Sequence, residues 1–264
     1  MSRNLLQNIA GLYSPSLGPS GYTLLDRSPN GRNNHGTLTN MDSSDWVGSP
    51  GGWALDFDGS NDRIEGPDVF GALQRITVSA WVYWRTLSAI STTAIAAKWE
   101  NELAFANGDA WVLNANSPQG LRWFIGQSTT GDGVTTGSAA IGTGRWIHCA
   151  ATYNGAAAVV YVDGRQSASK SFTLTMNAAS GVPFRIGRSD IVSAGILSHD
   201  GLLDDVAVYN RAATAAEIWQ IYQLGRGGLG RLATQGSPRH AYKAAGVKTY
   251  LFINRNAIIG GGTI

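Results

Sequence analysis

Residues 146–164 read WIHCAATYNGAAAVVYVDG, and this stretch decides the fold class. Two runs rich in β-branched and aromatic residues, 146–153 and 157–162, are separated by an Asn-Gly dipeptide, and an Asp-Gly dipeptide follows the second run. Both dipeptides favour the positive φ angles that tight hairpin turns need. The stretch therefore predicts two consecutive antiparallel strands with a further turn after them.

The same alternation of short strands and turn residues extends over most of the chain. Apolar and aromatic runs bounded by Gly, Asn, Asp or Pro occur at 52–57, 76–83, 120–125, 184–186 and 203–209. Gly accounts for 34 of the 264 residues, which is typical of a protein with many turns. We expect an all-β sandwich or jelly roll rather than a parallel α/β fold.

A single helix is predicted close to the end of this β region. Thr214 and Glu217 have the spacing of a capping box, in which each side chain accepts a backbone N–H of the first turn. Apolar residues then recur at helical spacing as far as Gly225, which offers a stop. We expect residues 215–224 to form one helix that docks on the sandwich.

Composition limits the classes of function. The chain has 20 basic and 18 acidic residues, a net charge of +2, so binding of nucleic acid by bulk charge is not indicated. The one cysteine, Cys149, excludes an internal disulfide, and its apolar surroundings predict a buried, inert thiol. We expect no signal peptide of ordinary form and no membrane span, because no apolar run is long enough.

Several motifs resemble those of laminin-G-like, concanavalin A-like jelly rolls. They are ALDFDGSNDRI at 54–64, ITVSAWV at 76–82, the opening stretch at 146–164, FRIG at 184–187 and GLLDDVAVYNR at 201–211. The predicted helix completes the family order. The resemblance implies two antiparallel sheets of roughly six or seven strands each, packed face to face.

The resemblance and a change in composition together predict three regions. Residues 1–21 form an N-terminal segment, 22–225 the jelly-roll domain, and 226–264 a Gly-rich arm. The arm has six basic residues and no acidic one, whereas the preceding part has 14 basic and 18 acidic residues. The opening passage of the domain, including NHGTLTN at 34–40, resembles that of phage and environmental members.

The arm contains an apolar, β-prone segment, TYLFINRNAII at 249–259, which would be an aggregation hazard if left free. It could return to the edge of its own sandwich or add a strand to a neighbouring subunit. We predict the second arrangement, with the basic side chains facing an acidic partner surface. The predicted assembly residues are Arg239, Lys243, Lys248, Tyr250, Phe252 and Arg255.

Enzyme chemistry finds little support in the sequence. Retaining glycosidases need two carboxylates about 5–5.5 Å apart. Jelly-roll relatives place them in Glu-x-Asp-x-Glu or Glu-x-Asp-x-x-Glu strands, and this chain has neither pattern. A lyase would need a polar set around His148, which we expect to be packed in the core instead. The sequence predicts a protein that is not an enzyme.

A structural calcium ion is a candidate cofactor. Asp26, Ser28 and Asn30 alternate in a loop that can aim oxygens at one point, and calcium takes six to eight oxygen ligands. Asp204 and Asp205 could supply further carboxylates. The alternative is that these side chains form Asx turns or lie in solvent.

Trp84, Trp99 and Trp111 lie close to predicted loops or strand ends and are the candidate carbohydrate-binding platforms. Burial in the core is the alternative for each of them. Trp81 and Trp146 lie on central strands, and we expect them to be largely buried core residues.

These observations predict a non-catalytic structural or binding module. The interpretation we favour is a virion protein of a tailed phage, of the capsid-decoration or fibre type, that displays a lectin-like sandwich and joins its assembly through the arm. The alternative is a bacterial carbohydrate-binding protein, secreted or on the cell surface. A soluble enzyme ranks third.

Overall fold

The computed structural model describes residues 5, 7–29, 33–87, 93–100, 109–116, 120–127, 130–191 and 195–226. In this part of the chain the elements are β1 (Ile9–Tyr13), β2 (Thr23–Leu24), β3 (Gly36–Thr39), β4 (Trp46–Ser49), β5 (Gly52–Asp58), β6 (Arg63–Glu65), β7 (Ile76–Trp84), β8 (Thr93–Lys98), β9 (Trp111–Asn116), β10 (Gly120–Gln127), β11 (Thr130–Thr135), β12 (Trp146–Tyr153), β13 (Ala157–Val162), β14 (Arg165–Ser171), β15 (Arg185–Ile186), β16 (Arg188–Ile191), β17 (Gly195–Ser198), β18 (Asp200–Tyr209) and α1 (Ala215–Arg226). Two short 3-10 turns lie at Pro15–Leu17 and Ser43–Asp45.

The strands form two antiparallel sheets. The first has the order β14-β13-β12-β7-β18-β5-β4, with β1 paired to β18, and the second has the order β11-β10-β9-β8-β15-β6-β3-β2. β16 and β17 make a separate hairpin. The predicted all-β, two-sheet antiparallel sandwich with one late helix is confirmed. Within the described residues each sheet has eight strands, where roughly six or seven were expected.

The hairpin predicted within residues 146–164 is present. β12 pairs with β13, and Asn154 Oδ1 accepts the N–H groups of Ala156 and Ala157 at 2.9 and 2.8 Å. Gly155 has φ 92°, a value that L-residues rarely adopt. The tight connection fixes the register between these two strands.

Alternation along β7 and β12 determines the core. The side chains of β7 that enter the main core are those of Ile76, Val78, Ala80, Val82 and Trp84. On β12 they are those of Ile147, Cys149, Ala151 and Tyr153. Cys149 is buried, and burial raises the pKa of its thiol well above the usual value, as expected for an unreactive cysteine.

Trp81 and Trp146 lie on the opposite face of the first sheet and are only partly buried. The prediction that they are core residues was wrong, because both side chains project from the face of the first sheet that points away from the second sheet. Side chains in a strand have a period of two, so the residues next to Trp81, Ala80 and Val82, take the core positions instead.

Trp84, Trp99 and Trp111 were predicted to be carbohydrate platforms, and this prediction was wrong as well. Their exposed fractions are 0%, 1% and 0%, so no ring face is open to a ligand. Trp84 and Trp111 lie in the main core, where the Trp111 indole N–H donates to the Phe70 carbonyl at 2.8 Å. Trp99 packs in a smaller apolar cluster against Phe124.

The helix covers the outer face of the first sheet. Its capping box is present: the Thr214 N–H donates to Glu217 Oε2 at 2.8 Å, and the Glu217 N–H donates to Thr214 Oγ1 at 3.3 Å. Ile218 and Ile221 pack into a second cluster of buried residues with β1 and β18. Because β1 pairs with β18, the sandwich begins before residue 22, the predicted start of the domain. The predicted arm, residues 226–264, lies outside the described residues except for Arg226.

The core position of Trp84 makes a prediction about stability. Trp84→Ala should lower the free energy of unfolding by about 3–5 kcal/mol, because it leaves a large cavity between the sheets. Trp81→Ala removes the same side chain from a half-open position and should cost clearly less. Urea denaturation of both variants and the parent tests this, and equal losses would contradict the assignment of faces.

Two buried histidines predict a loss of stability in acid. Burial lowers the pKa of His148 and of His199 to about 4. The unfolded chain takes up these protons near pH 6.5, so the full stability is present above that pH and declines as the pH falls to 4, by up to about 3 kcal/mol per histidine. Asp62 opposes this change, since burial raises its pKa to about 6.

Chemical denaturation between pH 7 and pH 4 measures this effect. His199→Gln should flatten the profile relative to the parent, because the variant has no proton to take up at that position. If the free energy of unfolding of the variant changes with pH as steeply as that of the parent, His199 does not contribute to the loss of stability in acid.

Candidate functional site

A cleft of about 310 Å³ opens on the outer face of the first sheet, where the helix ends. We call it the outer cleft. It is lined by Ser49, Pro50, Gly51, Trp81, Arg145, Trp146, Asp163, Asp204, Asp205, Tyr222, Gly225 and Arg226. The lining thus combines three aromatic rings with three carboxylates and two guanidinium groups.

Aromatic rings form one wall of the outer cleft. Trp81 stacks on Tyr222 of the helix, with 5.7 Å between ring centroids and 23° between planes. The ring centroids of His148 and Trp81 are 5.3 Å apart, and those of Trp146 and Tyr83 are 5.9 Å apart. The antiparallel register explains the grouping, since Trp81 pairs with His148 and Tyr83 with Trp146 across β7 and β12.

A bulge in β18 supplies the carboxylates. Asp204 is opposite Trp81 and Ala207 is opposite Ser79, so β18 has one extra residue at this point. Asp205 takes a left-handed backbone conformation, φ 49°. The bulge allows two successive carboxylates to line the same cleft, although successive residues of a regular strand point to opposite faces.

Both carboxylates of the bulge are held in place. Asp204 and Asp205 are 5% and 8% exposed. The Asp205 N–H donates to Asp204 Oδ1 at 2.8 Å, and the Ser14 hydroxyl donates to Asp205 Oδ1. Hydrogen bonds thus orient both carboxylates towards the cleft that they line.

A second acidic group is neutralised locally. Arg145 Nη1 lies 3.0 Å from Asp163 Oδ2, and Asp163 Oδ1 accepts the backbone N–H of His148 at 3.0 Å. This pair forms one rim of the cleft. Arg226, the last residue of the helix, supplies the other cation of the lining.

Gly225 allows the helix to end against the aromatic wall. A Cβ atom at this position would lie 2.0 Å from the Trp81 indole nitrogen. Any larger residue would therefore displace either Trp81 or the last turn of the helix. The helix continues through Gly225 to Arg226, so the predicted stop at Gly225 was wrong, and the glycine instead permits close packing against Trp81.

The arrangement is suited to binding. Indole and phenol rings present flat apolar faces, carboxylates accept hydrogen bonds, and guanidinium groups donate them. Ser49 Oγ is buried in the lining and has no hydrogen-bond partner within the part of the chain that the structure describes. His148 is neutral at pH 7 and lies beneath Trp81, outside the residues that line the cleft.

The predicted calcium ligands do not come together as one set. Asp26 Oδ1 accepts the N–H groups of Leu12 and Ser28 at 3.0 and 2.9 Å, whereas Asp204 and Asp205 belong to the outer cleft. Among the described residues, no group of three or more His, Cys, Asp or Glu side chains is placed to hold a metal ion.

The loop itself retains some features that suit a cation. Among the residues that the structure describes, Asp26 Oδ2 and Ser28 Oγ are buried and have no hydrogen-bond partner. Asn30 lies outside the described residues. Calcium at the loop of Asp26, Ser28 and Asn30 stays a prediction.

The assembly residues Arg239, Lys243, Lys248, Tyr250, Phe252 and Arg255 also lie outside the described residues. The sequence interpretation missed the roles of Trp146, Tyr222 and Arg145 in the cleft. Strand parity relates these residues, because the residues of β7 between the core positions face the helix, but the sequence does not show which parity meets the second sheet.

None of the helices in the described ranges has the length and apolar character needed to cross a bilayer. A comparison of the sequence with curated proteins gave no match.

Solved structures of similar fold include domain 4 of AbnA, a GH43 extracellular arabinanase from Geobacillus stearothermophilus, in complex with arabinotriose. The TM-score is 0.58 at 20% identity, over 81% of this chain and 97% of that one. The binding domain of Paraclostridial Mosquitocidal Protein 1 gives 0.61 at 15% identity, over 83% of this chain. A mutant of Trypanosoma rangeli sialidase gives 0.57 at 17% identity, over 86% of this chain.

The chain spans about half of the toxin binding domain, 52%, and 34% of the sialidase. At these identities the likeness shows the fold alone. The sequence adds the family: a laminin G family model, described as the concanavalin A-like lectin/glucanases superfamily, matches residues 58–219. This match covers more than half of the chain, which therefore belongs to the concanavalin A-like lectin/glucanase superfamily.

Proposed function

We propose that this protein is a non-catalytic glycan-binding module and that its ligand lies in the outer cleft. The observation that carries the proposal is the stack of Trp81 on Tyr222 beside the carboxylates of the β18 bulge. Aromatic faces cover the C–H face of a sugar ring, and fixed polar groups orient its hydroxyls.

Geometry supports this assignment over an apolar ligand. Hydrogen bonds orient both carboxylates: Asp204 Oδ1 accepts the Asp205 N–H, and Asp205 Oδ1 accepts the Ser14 hydroxyl. Ser49 Oγ is a buried lining atom without a partner in the described chain, and a ligand hydroxyl would satisfy it. A cleft of about 310 Å³ accommodates a short glycan segment rather than a large apolar molecule.

The similar structures support binding more than catalysis. The AbnA match is to one domain of an arabinanase, which was solved in complex with arabinotriose, and the toxin match is to a binding domain. The sialidase match covers only part of an enzyme chain. In the present chain the two carboxylates of the bulge belong to successive residues, and Asp204 Oδ1 accepts the backbone N–H of Asp205, an arrangement unlike the pair that flanks a scissile bond.

We also propose that the module is displayed on a larger assembly, as a capsid-decoration or fibre-type protein of a tailed phage. The support is in the sequence: the opening passage resembles phage members, and residues 226–264 form an acid-free basic segment that can attach the sandwich to a partner. This segment starts at the lip of the outer cleft, on the helix-bearing face. Display on a bacterial cell surface is the alternative location.

Loss of either cleft tryptophan should weaken glycan binding. Trp81→Ala and Trp146→Ala should each weaken affinity about tenfold or more, because each removes a stacking face. Trp53→Ala is the matched control, since Trp53 is 39% exposed and lies outside the cleft lining.

A glycan array identifies the ligand, and calorimetry then measures the affinities. Melting curves must show that the variants are folded. If the control loses as much affinity as the cleft variants, the ligand does not lie in the outer cleft.

Removal of the arm should abolish assembly and leave folding intact. A chain that ends at Gly225 should give a folded, monomeric sandwich that no longer joins its assembly. Light scattering measures the mass, and mass spectrometry of purified particles detects incorporation. Normal incorporation of the truncated chain would contradict the assembly proposal and leave glycan binding unaffected.

A further inference from the structure

Strand β4 lies at one end of the first sheet. It pairs with β5 through Trp46–Ser49, and among the described residues no strand pairs with its other side. Alternate residues of an antiparallel edge strand direct their backbone N–H and C=O groups away from the neighbouring strand. β4 therefore presents backbone groups to which a further strand can be added.

Apolar surface is exposed beside this edge. Trp53 is opposite Gly48 in the register of β4 and β5 and is 39% exposed. A Cβ atom at Gly48 would meet no atom within 4 Å, so the space over this residue is open. Leu17 is 45% exposed and precedes Gly18, where a Cβ atom would lie 3.8 Å from the Trp53 indole nitrogen. An added strand can place an apolar side chain over Gly48, against Trp53.

Two carboxylates stand at the start of β4. Asp42 and Asp45 belong to the 3-10 turn that leads into the strand. Asp42 Oδ1 accepts the Ser44 N–H and Asp45 Oδ2 accepts the Asp42 N–H, each at 2.6 Å. Neither carboxylate forms an ion pair in the part of the chain that the structure describes. This end of the edge strand is therefore attractive to a basic segment.

The arm contains a segment that matches all three features. Residues 249–259 are apolar and β-prone, and Arg255 is the basic residue among them. Leu251 and Ile253 fall on one face of a strand and can meet the open space over Gly48. The arm has no acidic residue that Asp42 and Asp45 would repel.

The other sheet ends are less suited to this segment. β14, at the opposite end of the first sheet, carries Arg165 and Lys170, which repel a basic segment. In the second sheet β2 has only two residues. β11 lies beside β14, where Lys170 pairs with Asp132 at 2.5 Å. Charge and length thus favour β4 among the described sheet ends.

The described chain ends close to the same edge. Arg226 lines the outer cleft together with Ser49, at the end of β4, and with Pro50 and Gly51 of the turn that follows. The 22 residues 227–248 precede the segment, and 22 extended residues span up to about 75 Å. A return to the chain's own β4 needs far fewer, and loops longer than about 12–15 residues are uncommon within a compact domain. The length therefore favours the edge of another molecule.

We propose that residues 249–259 of a second copy of the chain add a strand to β4, and that two copies exchange arms in this way. Because the arm leaves each copy close to its own acceptor edge, a two-fold axis beside that edge allows both exchanges at once. The added strand pairs with the backbone of β4, covers Trp53 and brings Arg255 towards Asp42 and Asp45. The inference rests on the proposed role of the arm in assembly and names the partner that the arm holds.

The test measures the mass of the full chain by light scattering. The parent should have twice the mass of one chain. Gly48→Lys should halve that mass, because its side chain fills the open space and its charge repels the basic arm. Gly137→Lys is the matched control: Gly137 is exposed, a Cβ atom there also meets nothing within 4 Å, and it follows β11, so this variant should remain a dimer.

A mixing experiment separates the donor from the acceptor. Phe252→Pro removes a backbone N–H from the segment and disfavours its pairing as a strand, so this variant alone should be monomeric. A mixture of Phe252→Pro with Gly48→Lys should form a heterodimer, because the first chain has an intact β4 and the second an intact arm. Neither variant should dimerise by itself.

Four results would each overturn the inference: a monomeric parent, a dimeric Gly48→Lys or Phe252→Pro variant, a monomeric Gly137→Lys variant that is folded, or a mixture without heterodimer. If the parent is monomeric and the β4 amides exchange faster in Phe252→Pro, each arm pairs with its own edge instead. Melting curves show whether the variants are folded, and Phe252→Pro decides the matter even where Gly48→Lys does not fold. The assembly proposal is tested separately, by the incorporation of the chain that ends at Gly225.

Discussion

The alternation of side chains along β7 is the constraint on which both the core and the cleft depend. Ile76, Val78 and Trp84 lie between the sheets, and a strand has a period of two, so Trp81 must face the helix. The register with β12 then places His148 beside it. A shift by one residue would move Trp81 into the core and expose Trp84, which would destroy both features at once.

The bulge in β18 is the local exception to this alternation, and it creates the polar half of the site. A regular strand could direct only one of two successive aspartates to the outer face. The extra residue lets Asp204 and Asp205 line the same cleft, at the cost of a left-handed conformation for Asp205. Asp tolerates that conformation better than most residues, and the Ser14 hydroxyl donates to its carboxylate.

Much of this fold could be predicted, because its signals are local. The hairpin at 146–162 follows from turn dipeptides, and the helix follows from a capping box. The sequence did not allow us to predict which side chains of β7 face the core. Large residues occur at both even and odd positions of this strand, and nothing in the sequence shows which set meets the second sheet. This is why Trp84 was mistaken for a platform and Trp81 for a core residue. The bulge has no sequence signal at all, because Asp-Asp also fits a solvated turn.

The position of the cleft also bears on how it can bind. Its aromatic wall comes from two strands and a helix, and Trp81 is confined by His148, Tyr222 and the backbone of Gly225. Side chains held in this way lose little freedom when a ligand arrives, so a small contact area can still give useful affinity. Under the proposed function, the rings supply a flat apolar face for a sugar ring, and the carboxylates of the bulge supply polar contacts to its hydroxyls. The aromatic wall therefore arises from the regular alternation of β7 and β12, whereas the two adjacent carboxylates arise from the bulge in β18.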